Sequence, residues 1–233
     1  MGKVYLIPSV LHEDGYDSIP DSVREKIKAC RVFYVENERT TRRFFRALDK
    51  SIIIDDYEWV LMDDQAGTRE QFKKDLKAGK NIGIVSEAGC PGVADPGQQL
   101  VAIAHQFQAS IVPLAGPGSI IMALMASGMN GQQFRFHGYL PVDNAERKKA
   151  IRELEQEAIR KNCTQIFIET PYRNNQLTEA ILQECQPGTR LCIAVDITAN
   201  TEWIKTARID DWKKQTPDIH KRPAIFLIGA AMQ

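Results

Sequence analysis

The 233-residue chain balances thirty Lys and Arg against thirty Asp and Glu, with 43% hydrophobic and 26% charged residues. That composition reads as an ordinary soluble globular protein of one large or two small domains, and excludes a disordered or a membrane-embedded chain. Residues 1–115 hold 15 of the basic and 17 of the acidic side chains, so neither half is a polycation and any nucleic-acid role must rest on a local patch or a partner.

In the first half, short β-rich runs alternate with helical stretches, the pattern of a parallel sheet with crossover helices. Residues 4–7, 32–35, 82–85 and 111–112 read as buried strands. A helix is predicted over 21–29, opened by Pro20 and a polar capping residue, with Val23 and Ile27 one turn apart. Further helices are predicted over 40–48, over 70–77 with Phe72 and Leu76 at the same spacing, and over 96–106 with Pro96 near the first turn. After the turn-rich Ala115-Gly116-Pro117-Gly118 the character changes. A helix begins at Ser119, then come a strand at 134–137, a long charged helix over 144–161, and strands at 165–169, 191–196 and 224–228. A strand near 202–206 and helices near 177–184 and 209–214 fill the gaps. A boundary near residue 115 divides the chain into domains 1–115 and 116–233, with no long linker, repeat or low-complexity tract.

The five cysteines, Cys30, Cys90, Cys163, Cys185 and Cys192, are odd in number and lack paired metal or redox spacing, so they read as reduced, mostly buried thiols. The residues after Met1 lack a charged leader followed by a long apolar core, and the apolar run 120–126 is too short to span a bilayer. A cytoplasmic protein without membrane association is the expectation.

Two small-residue loops carry the chemical signal. Residues 85–97, Val-Ser-Glu-Ala-Gly-Cys-Pro-Gly-Val-Ala-Asp-Pro-Gly, follow a predicted strand and precede a helix. Their three glycines and two prolines make a rigid loop that lets backbone approach a ligand at the carboxyl end of a parallel strand. Residues 113–119 repeat the arrangement, and two such loops from one sheet suggest one crevice. A tight connection explains the first, and a domain junction with a helix cap the second, without any ligand. Neither loop spells G-x-G-x-x-G, since Ile121 stands at the last glycine's place and Pro117 removes an amide, and no P-loop sequence occurs. A ligand without phosphates, held by backbone carbonyls and amides, fits better.

Six collinear stretches complete the picture: Tyr5-Leu6-Ile7-Pro8, Glu36-Asn37-Glu38-Arg39-Thr40-Thr41-Arg42, the 85–97 loop, the 113–119 loop, residues 134–141 (Phe-Arg-Phe-His-Gly-Tyr-Leu-Pro), and residues 166–173 (Ile-Phe-Ile-Glu-Thr-Pro-Tyr-Arg). Together they resemble the tetrapyrrole methylase superfamily, and within it the branch that methylates a ribose 2′-hydroxyl of small-subunit ribosomal RNA. The resemblance implies two α/β domains, the N-terminal one with a mainly parallel sheet and flanking helices, the C-terminal one with a mixed sheet. It further implies S-adenosyl-L-methionine in the cleft between them, and a homodimer. By position, the cofactor contacts would be Pro8, Ala88, Gly89, Cys90, Val93, Ser119 and Ile120, with Glu169, Thr170 and Ala207 beside them. For a hydroxyl acceptor a base must take a proton, and Glu38, Glu36 and Glu169 are the candidate carboxylates.

Each candidate has a plainer explanation. Glu36 and Glu38 read equally as a solvated turn paired with Arg39 or Arg42, and Glu169 as a strand-end carboxylate holding backbone amides. His137 reads as a satisfied strand residue, and no metal is expected. Arg39, Arg42, Arg43 and Arg46 on one predicted helix, and Arg147, Lys148, Lys149 and Arg152 on another, are either the basic patch that RNA needs or two solvated faces. The chain also departs from the branch. Pro8 is followed by Ser9-Val10-Leu11-His12-Glu13-Asp14-Gly15-Tyr16 instead of a Thr-Pro-Ile-Gly-Asn-Leu continuation, Glu-Asp-Thr-Arg becomes Glu36-Asn37-Glu38-Arg39, and Arg-Glu-Leu-Thr-Lys becomes Val195-Asp196-Ile197-Thr198-Ala199. Three readings therefore stand: methylation of ribosomal RNA, methylation of a small acceptor such as a tetrapyrrole precursor, and a catalytically silent cofactor-binding homologue.

Overall fold

The computed structural model describes residues 2–62 and 66–231. The chain forms two compact units, Met1–Gly118 and Ser119–Gln233.

In the first unit, β1 (Lys3–Ile7), β2 (Val32–Val35), β3 (Glu58–Leu61), β4 (Ile82–Val85) and β5 (Ser110–Pro113) form one sheet in the order β3-β2-β4-β1-β5. Every neighbouring pair is parallel. The crossovers are α1 (Asp21–Ala29), α2 (Glu38–Leu48), α3 (Ala66–Lys77) and α4 (Gln98–Gln106). All four residues of β2 and of β4 are buried, as a parallel sheet covered on both faces requires. Alternation assigns the faces. Phe33 and Val35 join Val23 and Ile27 of α1 and Phe44 and Phe45 of α2, while Val32 and Tyr34 join Phe72 and Leu76 of α3 and Leu100 and Ile103 of α4.

Three expectations need correction here. Pro20 itself is the capping residue of α1, and no side chain caps it. The fourth helix starts at Gln98, not Pro96, because Gly97 at φ +118° turns the backbone out of helical conformation just before it. The edge strand β3 was missed: only Trp59 and Val60 are partly buried and Glu58 and Leu61 are exposed, so it lacks the dense apolar run that marks the interior strands.

In the second unit, β6 (Phe134–Tyr139), β7 (Thr164–Ile168), β8 (Arg190–Val195), β9 (Trp203–Arg208) and β10 (Ala224–Gly229) are ordered β6-β7-β10-β8-β9. Only β6 and β7 pair in parallel, the other three pairs being antiparallel, so the sheet is mixed. Around it lie α5 (Ser119–Ser127), α6 (Asn144–Lys161), α7 (Asn174–Glu184) and α8 (Ile209–Lys214). The sequence of α6 explains its ends. Asp143 accepts the Glu146 amide at 2.9 Å, and Asn162 in the left-handed region closes the last turn. Two strands stop one residue short of expectation, at Ile168 and Val195. Asp196 has φ +49°, which no strand residue adopts, and Glu169 turns out of β7 into the short 3-10 turn Pro171–Arg173. Among the described residues no helix is long and apolar enough to cross a membrane.

Candidate active site

In the first unit the two glycine-containing loops leave the carboxyl ends of β4 and β5, on either side of β1. Pro8 follows β1 directly, and the chain beyond it clips onto the first loop. Ser9 and Gly89 exchange backbone hydrogen bonds of 2.8 and 3.1 Å as an isolated antiparallel bridge. The Ser9 hydroxyl donates to the Ser86 carbonyl at 2.9 Å, and the Ser86 hydroxyl donates to the Ala88 carbonyl at 3.2 Å. Gly89 has φ +69°, where a side chain is strained, and a Cβ there would stand 3.2 Å from Leu11. At the second loop a Cβ on Gly116 would lie 2.2 Å from Cβ of Pro8, so only glycine lets that loop run against the proline. The Cys90 thiol reaches the Pro117 carbonyl at 3.4 Å. Pro8, Ala88, Gly89 and Cys90 are thereby brought together with residues 116–117, whereas Val93 lies further along the loop, 57% exposed.

Carboxylates border this arrangement. Glu36, just past β2, accepts the Glu87 amide at 2.9 Å, and Thr40 in the first turn of α2 donates its hydroxyl to Glu87 at 3.1 Å. Asp95 completes the group. Burial first, then the nearby Glu36 and Glu87 charges, push its carboxyl up to about 6, while the nearby Ser86 hydroxyl works the other way. Sequence reasoning missed Asp95 as a titrating group, because its burial and the Glu36 charge from the end of a different strand are set by the fold. Glu38 behaves as the plain reading expects, pairing with Arg42 one turn on at 2.7 Å. Burial chiefly, with the Asp95 charge second, also raises the Cys90 thiol above its ordinary value.

In the second unit Ser119 and Ile120 open α5, both partly buried. Glu169 sits just past β7 with its carboxylate almost wholly buried. One oxygen collects three donors: the Thr170 amide at 2.6 Å, Arg173 Nε at 3.1 Å and Arg173 Nη2 at 2.6 Å. The other oxygen, Oε2, is buried and has no partner among the described residues. Thr170 is adjacent and partly buried. Ala207 is placed differently. Its register partner is Leu191, while Ile168 lies on the row of Ile225, Ala194 and Ile204, three residues and so about 10 Å along the strands. The Ala207 side chain packs on the core of the unit.

Two further findings bear on the sequence reading. His137 bonds Gln165 at 2.7 Å as a satisfied strand residue, and among the described residues no group of His, Cys, Asp or Glu is arranged to hold a metal. A hollow of about 490 Å³ lies where β8 ends, beside the altered 195–199 stretch, with Asp196, Glu202, Trp203 and Arg222 in its lining. Its carboxylates are engaged: Asp196 by Arg222 and Thr201, and Glu202 by the Thr198 amide.

A parallel sheet with ligand-sized loops at its carboxyl edge, followed by a mixed sheet with a buried strand-end carboxylate, defines a two-unit α/β enzyme whose loops suit a ligand without phosphates. Residues 14–212 match the model of the tetrapyrrole (corrin/porphyrin) methylases. The chain belongs to this tetrapyrrole methylase family of S-adenosylmethionine-dependent methyltransferases. It is 29% identical over 231 residues to the ribosomal RNA small subunit methyltransferase I of Buchnera aphidicola subsp. Schizaphis graminum, covering 97% of this chain and 78% of that protein. A Synechocystis protein of the same name is 31% identical over 176 residues, 74% of this chain and 59% of the relative, so the chain spans less than two thirds of that protein. The fold is also that of a uroporphyrin-III C-methyltransferase from Thermus thermophilus solved with S-adenosylhomocysteine. That match has a TM-score of 0.58 at 15% identity, covering 98% of this chain and 97% of the other.

Proposed function

We propose that the protein transfers the methyl group of S-adenosylmethionine to a ribose 2′-hydroxyl of small-subunit ribosomal RNA, in the cytoplasm. The observation that carries the acceptor is the alignment with the Buchnera small-subunit RNA methyltransferase along 97% of this chain.

The residues fit the cofactor chemically. Its sulfonium and ammonium are cationic and it has no phosphate, and the 85–97 loop offers carbonyls and amides bordered by Glu36, Glu87 and Asp95. Pro8, Ala88, Gly89, Cys90 and Val93 would hold it from the first unit. Ser119, Ile120, Glu169 and Thr170 would hold it from the second, with the Glu169 oxygen that has no partner among the described residues free to accept a ligand hydroxyl or amine, whereas Ala207, packed on the core three residues along the strands, is not a contact. When bound, the cofactor supplies an electrophilic methyl group on a good leaving group. What remains for the chain is to align the acceptor, worth about 7–11 kcal/mol of the barrier, and to receive its proton.

Of the three candidate bases, Glu38 is tied to Arg42 and Glu169 is held by Arg173, so both carboxylates are already engaged by a guanidinium. Glu36 spends one oxygen on the Glu87 amide and has no cationic partner among the described residues, which favours it as the base. The loop from Ser9 to Tyr16 replaces the branch's usual continuation yet is anchored, with Ser9 on Gly89 and Tyr16 stacked on Phe44 at 6.1 Å. A homodimer is part of the proposal, supported by the apolar side chains that α5 leaves exposed, Ile121 and Met125; light scattering behind a sizing column measures it.

The deciding experiment supplies radiolabelled S-adenosylmethionine with small-subunit ribosomal RNA, naked and as assembled subunits, then digests the RNA with alkali. Label in alkali-resistant dinucleotides is expected, because a 2′-O-methyl group blocks strand cleavage at that ribose. Label confined to bases, or transferred only to a tetrapyrrole precursor, would overturn the acceptor.

A further inference from the structure

Resting on the RNA reading, we infer that the exposed face of α2, through Arg39, Arg43 and Arg46, is the track that holds the phosphate backbone of the RNA acceptor. The sequence presents two basic helices, and the structure separates them. On α6 most cations of the predicted patch are held within their own unit. Arg147 is 2% exposed and donates to the Val142 carbonyl and Asn144, while Lys148 and Arg152 converge on Glu184; Lys149, 3.9 Å from Glu153 with both side chains exposed, is paired only weakly. Three of the four cations in the first half of that helix are thereby held by local partners, which leaves Lys149 and, in the last turn, Arg160.

On α2 the balance is reversed. Its buried residues, Thr41, Phe44, Phe45 and Leu48, face the core, and the arginines face out. Arg39 and Arg46 are exposed and have no carboxylate partner among the described residues. Arg43 is 64% exposed and meets only Glu13 at 3.5 Å, itself 83% exposed, a pair that solvent screens almost completely. Arg42 is the fixed member, paired with Glu38 at 2.7 Å and placed over the Trp59 ring at 5.2 Å. Together these residues line a shallow hollow of about 680 Å³ in which four guanidiniums face one carboxylate.

The spacing suits a nucleic-acid strand. Positions 39, 43 and 46 follow one face of the helix and span about 10 Å at 1.5 Å per residue. Three guanidiniums over that length can each meet a different phosphate of one strand. Guanidinium forks bind phosphate oxygens in pairs, which lysines cannot do. Charge is also segregated along the helix. At its start lie Glu36, Glu87 and Asp95, which attract a cationic cofactor and repel phosphates, and Arg39 is the first cation beyond them. The backbone is thus kept on the arginines while a single nucleotide is free to approach the carboxylate end. In a chain with zero formal net charge, affinity for RNA must come from such a patch.

The test measures binding of a short labelled single-stranded RNA and of small-subunit ribosomal RNA across a salt series. The wild type is compared with Arg39→Gln/Arg43→Gln/Arg46→Gln, the matching triple Lys variant, and Lys148→Gln/Lys149→Gln on α6. Three lost contacts at about 0.7 each should flatten the plot of log affinity against log salt by about 2, a loss of roughly 100-fold at 0.1 M relative to 1 M. The Lys variant should keep most of the slope, the α6 variant should match the wild type, and circular dichroism should show the Gln variant folded. A Gln variant that keeps the wild-type slope overturns the track and leaves the RNA reading intact. No binding of either RNA by the wild type would remove both.

Discussion

The buried pair of Glu169 and Arg173 supports the most demanding prediction. The Glu169 side chain is 1% exposed and Arg173 is 30% exposed, with Arg173 supplying two of the three donors on Glu169 Oε1. Changing Arg173→Met keeps most of the stem volume but leaves a carboxylate out of water with a single amide donor and one oxygen already unpartnered. Removing one partner of a buried pair costs about 3–5 kcal/mol, and we expect the lower end because part of the guanidinium is open to solvent. Urea titration followed by circular dichroism reads this as a lower midpoint with an unchanged slope. Adding Glu169→Gln to Arg173→Met removes the stranded charge, so the double variant should regain more than half of the loss. If the double variant is no more stable than Arg173→Met alone, the pair is not what holds this strand end and the reasoning fails. Isothermal titration with S-adenosylmethionine separates the second role: Glu169→Gln should weaken binding even where stability is kept, since a neutral amide accepts less strongly than the free carboxylate oxygen.

Two other outcomes follow from the first unit. Gly116→Ala would place a methyl 2.2 Å from Pro8 Cβ, so the loop must move; a stability loss of about 1–3 kcal/mol is expected, with cofactor binding in calorimetry weakened at least tenfold. Asp95 gives the pH dependence. Its carboxyl is raised to about 6 in the folded chain against 3.8 for the free group, so between those values the folded state holds more proton than the unfolded one. Stability contributed by the neutral carboxyl is present below about 4 and is lost as pH rises through about 6. The Asp95→Asn variant should flatten that decline in thermal melts; an identical pH profile in the variant would refute it.

Much of the fold was legible because buried parallel strands announce themselves. The runs 32–35 and 82–85 are rich in β-branched and aromatic residues and hold no charge, and both strands have those bounds. Helices with strong caps or apolar spacing, such as Asp21–Ala29 and Asn144–Lys161, were equally plain. What escaped was whatever depends on neighbours remote in sequence. β3 is a strand because the exposed edge of β2 accepts it, and Asp196 leaves the strand because Arg222, from another segment, holds its carboxylate. In the candidate site the two small-residue loops were visible from their glycines and prolines. That Ser9 bridges to Gly89, that only glycine at 116 clears Pro8, and that burial pushes the Asp95 carboxyl up were not.

From sequence alone came the element types, the exclusion of phosphate-binding loops and the family resemblance, all of which depend on local pattern or on motif order. Only the tertiary structure decided which charges are spent and which are free. It held Lys148 and Arg152 of α6 on Glu184 and, among the described residues, left Arg39 and Arg46 of α2 without a carboxylate and one buried oxygen of Glu169 without a partner. The reason is physical: a side chain's charge is written in the sequence, but its burial and its partners depend on which remote segments the fold brings within hydrogen-bonding reach.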